Sequence, residues 1–120
     1  ANFMQADCHG ADIVDADLRE SNLSKTNLIE ADLRGANLAG ANLTGAKLSE
    51  ANLRKTNLIG ANFQGASLLE TKLTGVDLSQ VLNLAPEEVA LSIIDAKTKI
   101  PNYLEIIWIS DETFECKTRL

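Results

Sequence analysis

The chain is poor in the residues from which active sites are built and globular cores are usually filled. Its 120 residues include one histidine, two cysteines and five aromatic rings, Phe3, Phe63, Tyr103, Trp108 and Phe114. Four of those rings lie at the ends or in the last quarter. A chain of this length makes one domain with a real core, yet its middle runs on Leu and Ala. That composition implies a thin, regular interior. His9 has no Cys or His near it in register, and a ligand or a general base needs such a constellation; it is expected to be a solvated side chain. Cys8 and Cys116 lie near opposite ends and match no metal spacing. Cys8 fills a slot held elsewhere by Leu, which predicts a buried free thiol.

Other absences narrow the function. No run approaches the ~20 apolar residues of a membrane-spanning helix, and no signal-peptide pattern is present. No phosphate loop, nucleophile elbow or zinc spacing appears. Seventeen acids face eleven bases, for a net charge of −6. The excess is −3 on either side of residue 80. That balance disfavours nonspecific nucleic-acid binding, which needs a basic surface. No enzyme, cofactor or metal is expected, and the expected partner is another protein.

What is present is a period of five. From Ala1 to Gln80 the chain divides into 16 units without a gap, of the form A-(N/D)-L-x-x. The third positions are Phe3, Cys8, Ile13, Leu18, Leu23, Leu28, Leu33, Leu38, Leu43, Leu48, Leu53, Leu58, Phe63, Leu68, Leu73 and Leu78. The first is Ala in 11 units, and the second is Asn or Asp in 13, with Lys47, Ser67 and Lys72 the exceptions. On an α-helix five residues advance about 500°, so successive leucines never form a stripe. In a straight strand an odd period sends alternate leucines to opposite faces. A chain that bends at each unit meets the requirement. Positions one and three then point inward, position two points outward, and positions four and five turn the corner. Gly at the fifth position of seven units suits such a corner. Bends in one direction close a coil, and coils stack by strand hydrogen bonds.

The repeated motif over residues 1–80 resembles the pentapeptide-repeat family. The resemblance implies an all-β solenoid, a right-handed quadrilateral β-helix with four units per coil and about four coils here. Stacked at ~4.8 Å per strand, four coils make a rod of roughly 19 Å. After the repeats, Pro86-Glu87-Glu88 starts a helix, since Pro suits the first turn and acids its positive end. Val89, Ala90, Ile93, Ile94 and Lys97 recur at helical spacing, so the helix is expected over about 86–97, lying on the last coil. The segment Pro86–Leu104 resembles the helical tail of many cyanobacterial members of the family. Strands are expected at about 105–109 and 113–117, with Trp108 and Phe114 packed on the helix. Residues 81–120 are read as a C-terminal cap within the same domain as 1–80.

If four units make a coil, residues twenty apart stack. One column is Asn2, Asn22, Asn42 and Asn62, whose side chains are expected to bond to turns and to each other. Another is Gly10, Glu30, Glu50 and Glu70, flanked by His9, Ile29, Ser49 and Leu69. Like charges at strand spacing destabilise a sheet. Glu30, Glu50, Glu70, Ile29 and Leu69 are therefore the candidate partner-binding edge, facing a basic surface. Arg34, Arg54, Lys55 and Lys72 share a further face with Asp12 and Asp32. The favoured reading is a non-catalytic structural or protein-interaction module. The alternative rests on the resemblance: some members of the family mimic double-stranded DNA and act on DNA gyrase. The repeat begins in register at Ala1 with no visible cap. The expectation is either chain upstream or an end that mates with another copy. The cytoplasm is favoured as compartment, with periplasm or thylakoid lumen the alternative if a leader was removed.

Overall fold

In the computed structural model, which describes residues 1–119, every second-position residue lies in a parallel bridge to a residue one circuit away. The first side joins Asn2, Asn22, Asn42, Asn62 and Leu82 in sequence. The second joins Asp7, Asn27, Lys47 and Ser67, and the third Asp12, Asp32, Asn52, Lys72 and Ile93. The fourth joins Asp17, Asn37 and Asn57, with Asp77 bridged onward to Lys99. The chain therefore returns to stack on itself after every four pentapeptides.

The backbone accounting of one unit explains its sequence. Ala41 N–H closes the preceding turn on Leu38 O at 3.0 Å, and Asn42 N–H reaches back to Ser21 O at 2.9 Å. Leu43 and Gly45 N–H donate forward to Asn62 O and Gln64 O, both at 2.8 Å. Only the fourth N–H has no backbone partner, and Asn42 Oδ1 accepts it from Thr44 at 3.0 Å. The same side-chain bond recurs in all thirteen units with Asn or Asp at position two. A buried or semi-buried N–H left unpaired is costly. Position two is Asn or Asp because it supplies that acceptor. The fifth residue sits in the left-handed region in every unit up to Gly75, as at Gly45 with φ 67° and Glu50 with φ 60°. A turn with its third residue there has the type II requirement that favours Gly.

Inside, the third-position leucines from Leu18 to Leu78 are buried. At the walls Thr26 and Thr71 replace Ala and are fully buried, their hydroxyls donating to Phe3 O and Leu48 O at 2.7 Å. Three expected core positions differ. Phe3, Cys8 and Ile13, all in the first coil, are only half-buried and pack against the core from its edge. Cys8 is thus a free, half-buried thiol rather than a buried one.

The bridge ladder runs past the end of the pentapeptide pattern. α1 spans Pro86–Leu91, not 86–97. It occupies the place of a second side, between Leu82 on the first and Ile93 on the third. The helix stops because the sheet takes over its backbone: Ile93 N–H donates to Thr71 O and Leu73 N–H to Ile93 O, both at 2.8 Å. Of the expected apolar helix face only Val89 is buried, and Ile93 is exposed. β1 (Leu104–Trp108) and β2 (Phe114–Thr118) form an antiparallel hairpin, each shifted one residue from expectation. Leu104 enters β1 because it is buried against the core, and the neighbouring Tyr103 hydroxyl ties the hairpin to the coil, donating to Val81 O and accepting from Leu84 N–H. β2 lies against α1. Trp108 packs on Phe114, ring centroids 5.3 Å apart and tilted 54°, and Phe114 in turn packs against the buried core.

Candidate functional site

The fifth position puts a side chain at a corner, on a backbone that favours Gly. In the second corner Glu30, Glu50 and Glu70 follow one another with φ of 61°, 60° and 56°. Each is fixed by its own N–H, donating to Ser49 O, Leu69 O and Leu91 O at 3.0, 2.9 and 2.8 Å. All three are exposed and stand one coil apart, ~4.8 Å. Their one ion-pair contact is His9 Nε2 to Glu30 Oε1 at 3.9 Å, between side chains more than half exposed. A contact that long between solvated groups is worth little.

The three glutamates share a shallow recess with Lys72 and Ile93. Of the predicted apolar flank, Leu69 is 48% exposed and Ile29 is half-buried, with Ser49 between them in the column. The structure adds Leu91, 49% exposed, directly beyond Glu70, and Ile93 beyond Lys72. Neither was legible from a twenty-residue stacking rule, because α1 lengthens that circuit, by two residues at Leu91 and by one at Ile93. The result is a strip that is acidic over three coils and apolar at its C-terminal end.

The other faces carry two arginine–aspartate pairs among the described residues. Arg19 forks onto Asp17 at 2.8 Å and 2.8 Å, and Arg34 onto Asp32 at 2.9 and 2.7 Å. The Arg19 bonds pull the Asp17 carboxyl down to about 2, and Arg34 likewise lowers Asp32. Arg54 reaches only the neutral Asn52, through Nε at 3.1 Å. The four stacked asparagines bond to their own turns and not to each other; Asn22 and Asn42 also accept the Ser24 and Thr44 hydroxyls, and Asn62 accepts Asn83 Nδ2 at 3.0 Å. At the cap, the Asp95 carboxylate accepts the Gly75 N–H at 2.9 Å, which holds its pKa below the ordinary carboxylate value. Burial, with Glu87 nearby, pushes the Cys116 thiol up. Among the described residues no group of three or more His, Cys, Asp or Glu could hold a metal ion, and no helix is long and apolar enough to cross a membrane.

Comparison with known proteins gives one family, described as "Pentapeptide repeats (8 copies)", matching residues 1–40 and 41–80. Among solved structures, the pentapeptide repeat protein Rfr23 from the cyanobacterium Cyanothece 51142 is 33% identical with a TM-score of 0.70. The match covers 79% of this chain and 64% of that one. A pentapeptide repeat protein from the Arabidopsis thaliana thylakoid lumen is 25% identical with a TM-score of 0.60, over 79% of this chain and 58% of that one. The chain thus spans less than two thirds of either relative. No curated protein matches by sequence. These relatives imply a right-handed quadrilateral β-helix.

Proposed function

This chain belongs to the pentapeptide-repeat family, and on that footing we propose that it is a non-catalytic interaction module that presents its second corner to a basic partner protein. Residues 1–80 make four coils. Residues 81–119 cap the same domain, with α1 taking one side of the next circuit and the hairpin closing its end. The backbone bonds that hold each coil leave the outward fourth and fifth side chains free to carry recognition.

The observation that supports the reading is the composition of the second corner. In the third and fourth corners, Gly35 follows Asp15, and Gly40 and Gly60 follow Glu20. The Asp15 and Glu20 carboxylates lean over Gly35 and Gly40, in space that a Cβ there would need. The second corner has no such relief. Three carboxylates are stacked in register on a backbone that favours Gly, with exposed Leu69, Leu91 and Ile93 beside them. A partner with a basic rim and an apolar anchor would offset both the repulsion and the exposure.

The test is affinity capture from source cells with the wild type and with a triple E30K/E50K/E70K variant, each checked for an intact fold by circular dichroism. Loss of the same partners from the folded variant is the expected outcome, and unchanged partners would refute the assignment. A gyrase-directed role has less support. Residues 1–20 carry five acids and one base, but residues 41–60 carry one acid and three bases. A DNA mimic needs one sign along its length, so no inhibition is expected in a gyrase supercoiling assay.

A further inference from the structure

The hairpin carries a second surface, unrelated to the glutamate corner. Ile109 N–H donates to Thr113 O at 2.8 Å and Arg119 N–H to Tyr103 O at 2.9 Å. In an antiparallel ladder such bonded pairs alternate, so Glu105 and Ile107 of β1 also turn their backbone groups toward β2. Ile106 and Trp108 turn theirs the other way. Among the described residues no backbone bond joins their N–H or C=O to anything outside the hairpin. This is an open strand edge. Natural edges are protected by Lys, Pro, a bulge or a cover; the run Leu104-Glu105-Ile106-Ile107-Trp108-Ile109 has one charge and none of the first two. On the face that carries Glu105, Ile107 is 38% and Ile109 65% exposed, and Trp108 is 39% exposed on the other face.

We propose that this edge pairs with the same edge of a second copy, making a four-stranded sheet in the order β2-β1-β1-β2. The register chosen is the one that uses all the free groups: Ile106 bonds with Trp108 of the second copy, and the reciprocal pair forms by symmetry. The two-fold axis then passes at Ile107, which meets its own counterpart in a non-bonded pair with Cα atoms ~4.5 Å apart. Charge supports a second copy as the occupant. In this register Glu105 falls opposite Ile109 of the other chain and never opposite itself. Its cross-strand neighbour within the hairpin is already Lys117. Four isoleucines cover one face and the two indoles gain cover on the other. Such a strip is smaller than the ~800 Å² per partner of a stable standard interface, so the dimer is transient and concentration-dependent.

Trp108 is the sole tryptophan, so its emission reports the interface directly. Sedimentation velocity and tryptophan emission are measured together from about 1 μM to about 1 mM, the range suited to an interface this small. The expected result is a mass rising from 12.9 kDa toward twice that value, with a blue shift over the same range. Ile107→Lys places two ammonium groups across the axis and is expected to abolish both signals. An equimolar mixture of Ile107→Lys and Ile107→Glu is expected to restore both signals, which separates loss of pairing from loss of fold. The E30K/E50K/E70K variant should still dimerise, keeping this surface distinct from the corner. A wild type that stays monomeric throughout overturns the proposal and leaves the edge to a strand of another protein. A dimer that persists in Ile107→Lys, or mixed variants that stay monomeric, overturns it as well.

Discussion

Replacing Glu50 separates the two costs that the second corner carries. Its φ of 60° lies where a residue with a Cβ is disfavoured, by about 1–2 kcal/mol. Glycine escapes that cost but loses about 0.5–1 kcal/mol through the greater freedom of the unfolded chain. The net gain from strain relief is therefore about 0.5–1 kcal/mol. Charge adds a second part. Glu30 and Glu70 stand one coil away on either side, and each like-charge neighbour costs a few tenths of a kcal/mol. Glu50→Gln removes charge alone, Glu50→Ala removes charge and side chain but keeps the strained Cβ, and Glu50→Gly removes all three. Urea unfolding should rank Gly above Ala by about 0.5–1 kcal/mol. Gln should exceed wild type by about 0.5 kcal/mol at low salt. Raising salt to about 1 M should erase the Gln gain, since the Debye length falls to ~3 Å, and leave the Gly–Ala difference intact. If Gly is no more stable than Ala, the strain argument fails. A Gln gain that survives salt would sink the charge argument.

The other expectations follow from the same ladder. Leu53 is fully buried between coils whereas Ile13 is half-buried; Leu53→Ala should cost about 2–5 kcal/mol and Ile13→Ala clearly less in the same urea titration. Asn42→Ala strips the acceptor from Thr44 N–H and Thr44 Oγ1 and should cost about 1 kcal/mol, while Lys47→Ala, at a unit without that bond, should cost little. Asp95 has its pKa lowered in the folded state by the Gly75 N–H. Its contribution is present above the unfolded carboxylate value, ~3.9, and is lost as pH falls through the lower folded value. Asp95→Asn should therefore flatten the acid limb of a stability-against-pH curve below about pH 4; an unchanged limb would count against the bond.

Within the repeats the sequence was legible because each position answers one local demand. Inward leucines, small wall residues and the Asn or Asp acceptor are all set inside five residues, so side-chain direction could be read from the period. The ends were less legible, and for identifiable reasons. Half-burial of Phe3, Cys8 and Ile13 depends on which coils stack against them, which no local pattern encodes. Helical spacing at Ile93 and Ile94 was real, but Thr71 O and Leu73 N–H offered better backbone partners than another helical turn. From there the stacking offset grows to 21 at Ile93 and 22 at Lys99. That drift hid Leu91 and Ile93 from any reading based on a constant twenty. The direct Trp108–Phe114 contact was not legible, because it depends on the cross-strand register of the hairpin, which sets the two residues opposite each other.

The backbone ledger also indicates where selection had freedom to act. Three of the five side chains in a unit are committed: one and three fill the interior, and two satisfies the fourth N–H. A solvent-facing fourth residue is open to choice, and the fifth is open only against the preference of its φ. Glycine is the low-cost answer at the fifth position, and the first, third and fourth corners return to it within two coils. The second corner starts with Gly10 and then departs from it three times in succession, always to the same charged residue. Neither packing nor hydrogen bonding in the coil requires those carboxylates, since each Glu uses only its backbone N–H there. A fold-stability account would predict Gly, or at least alternating signs. What the column does supply is a straight row of negative charge at strand spacing, ending on exposed Leu91 and Ile93, and that is a property of use only to something outside the chain.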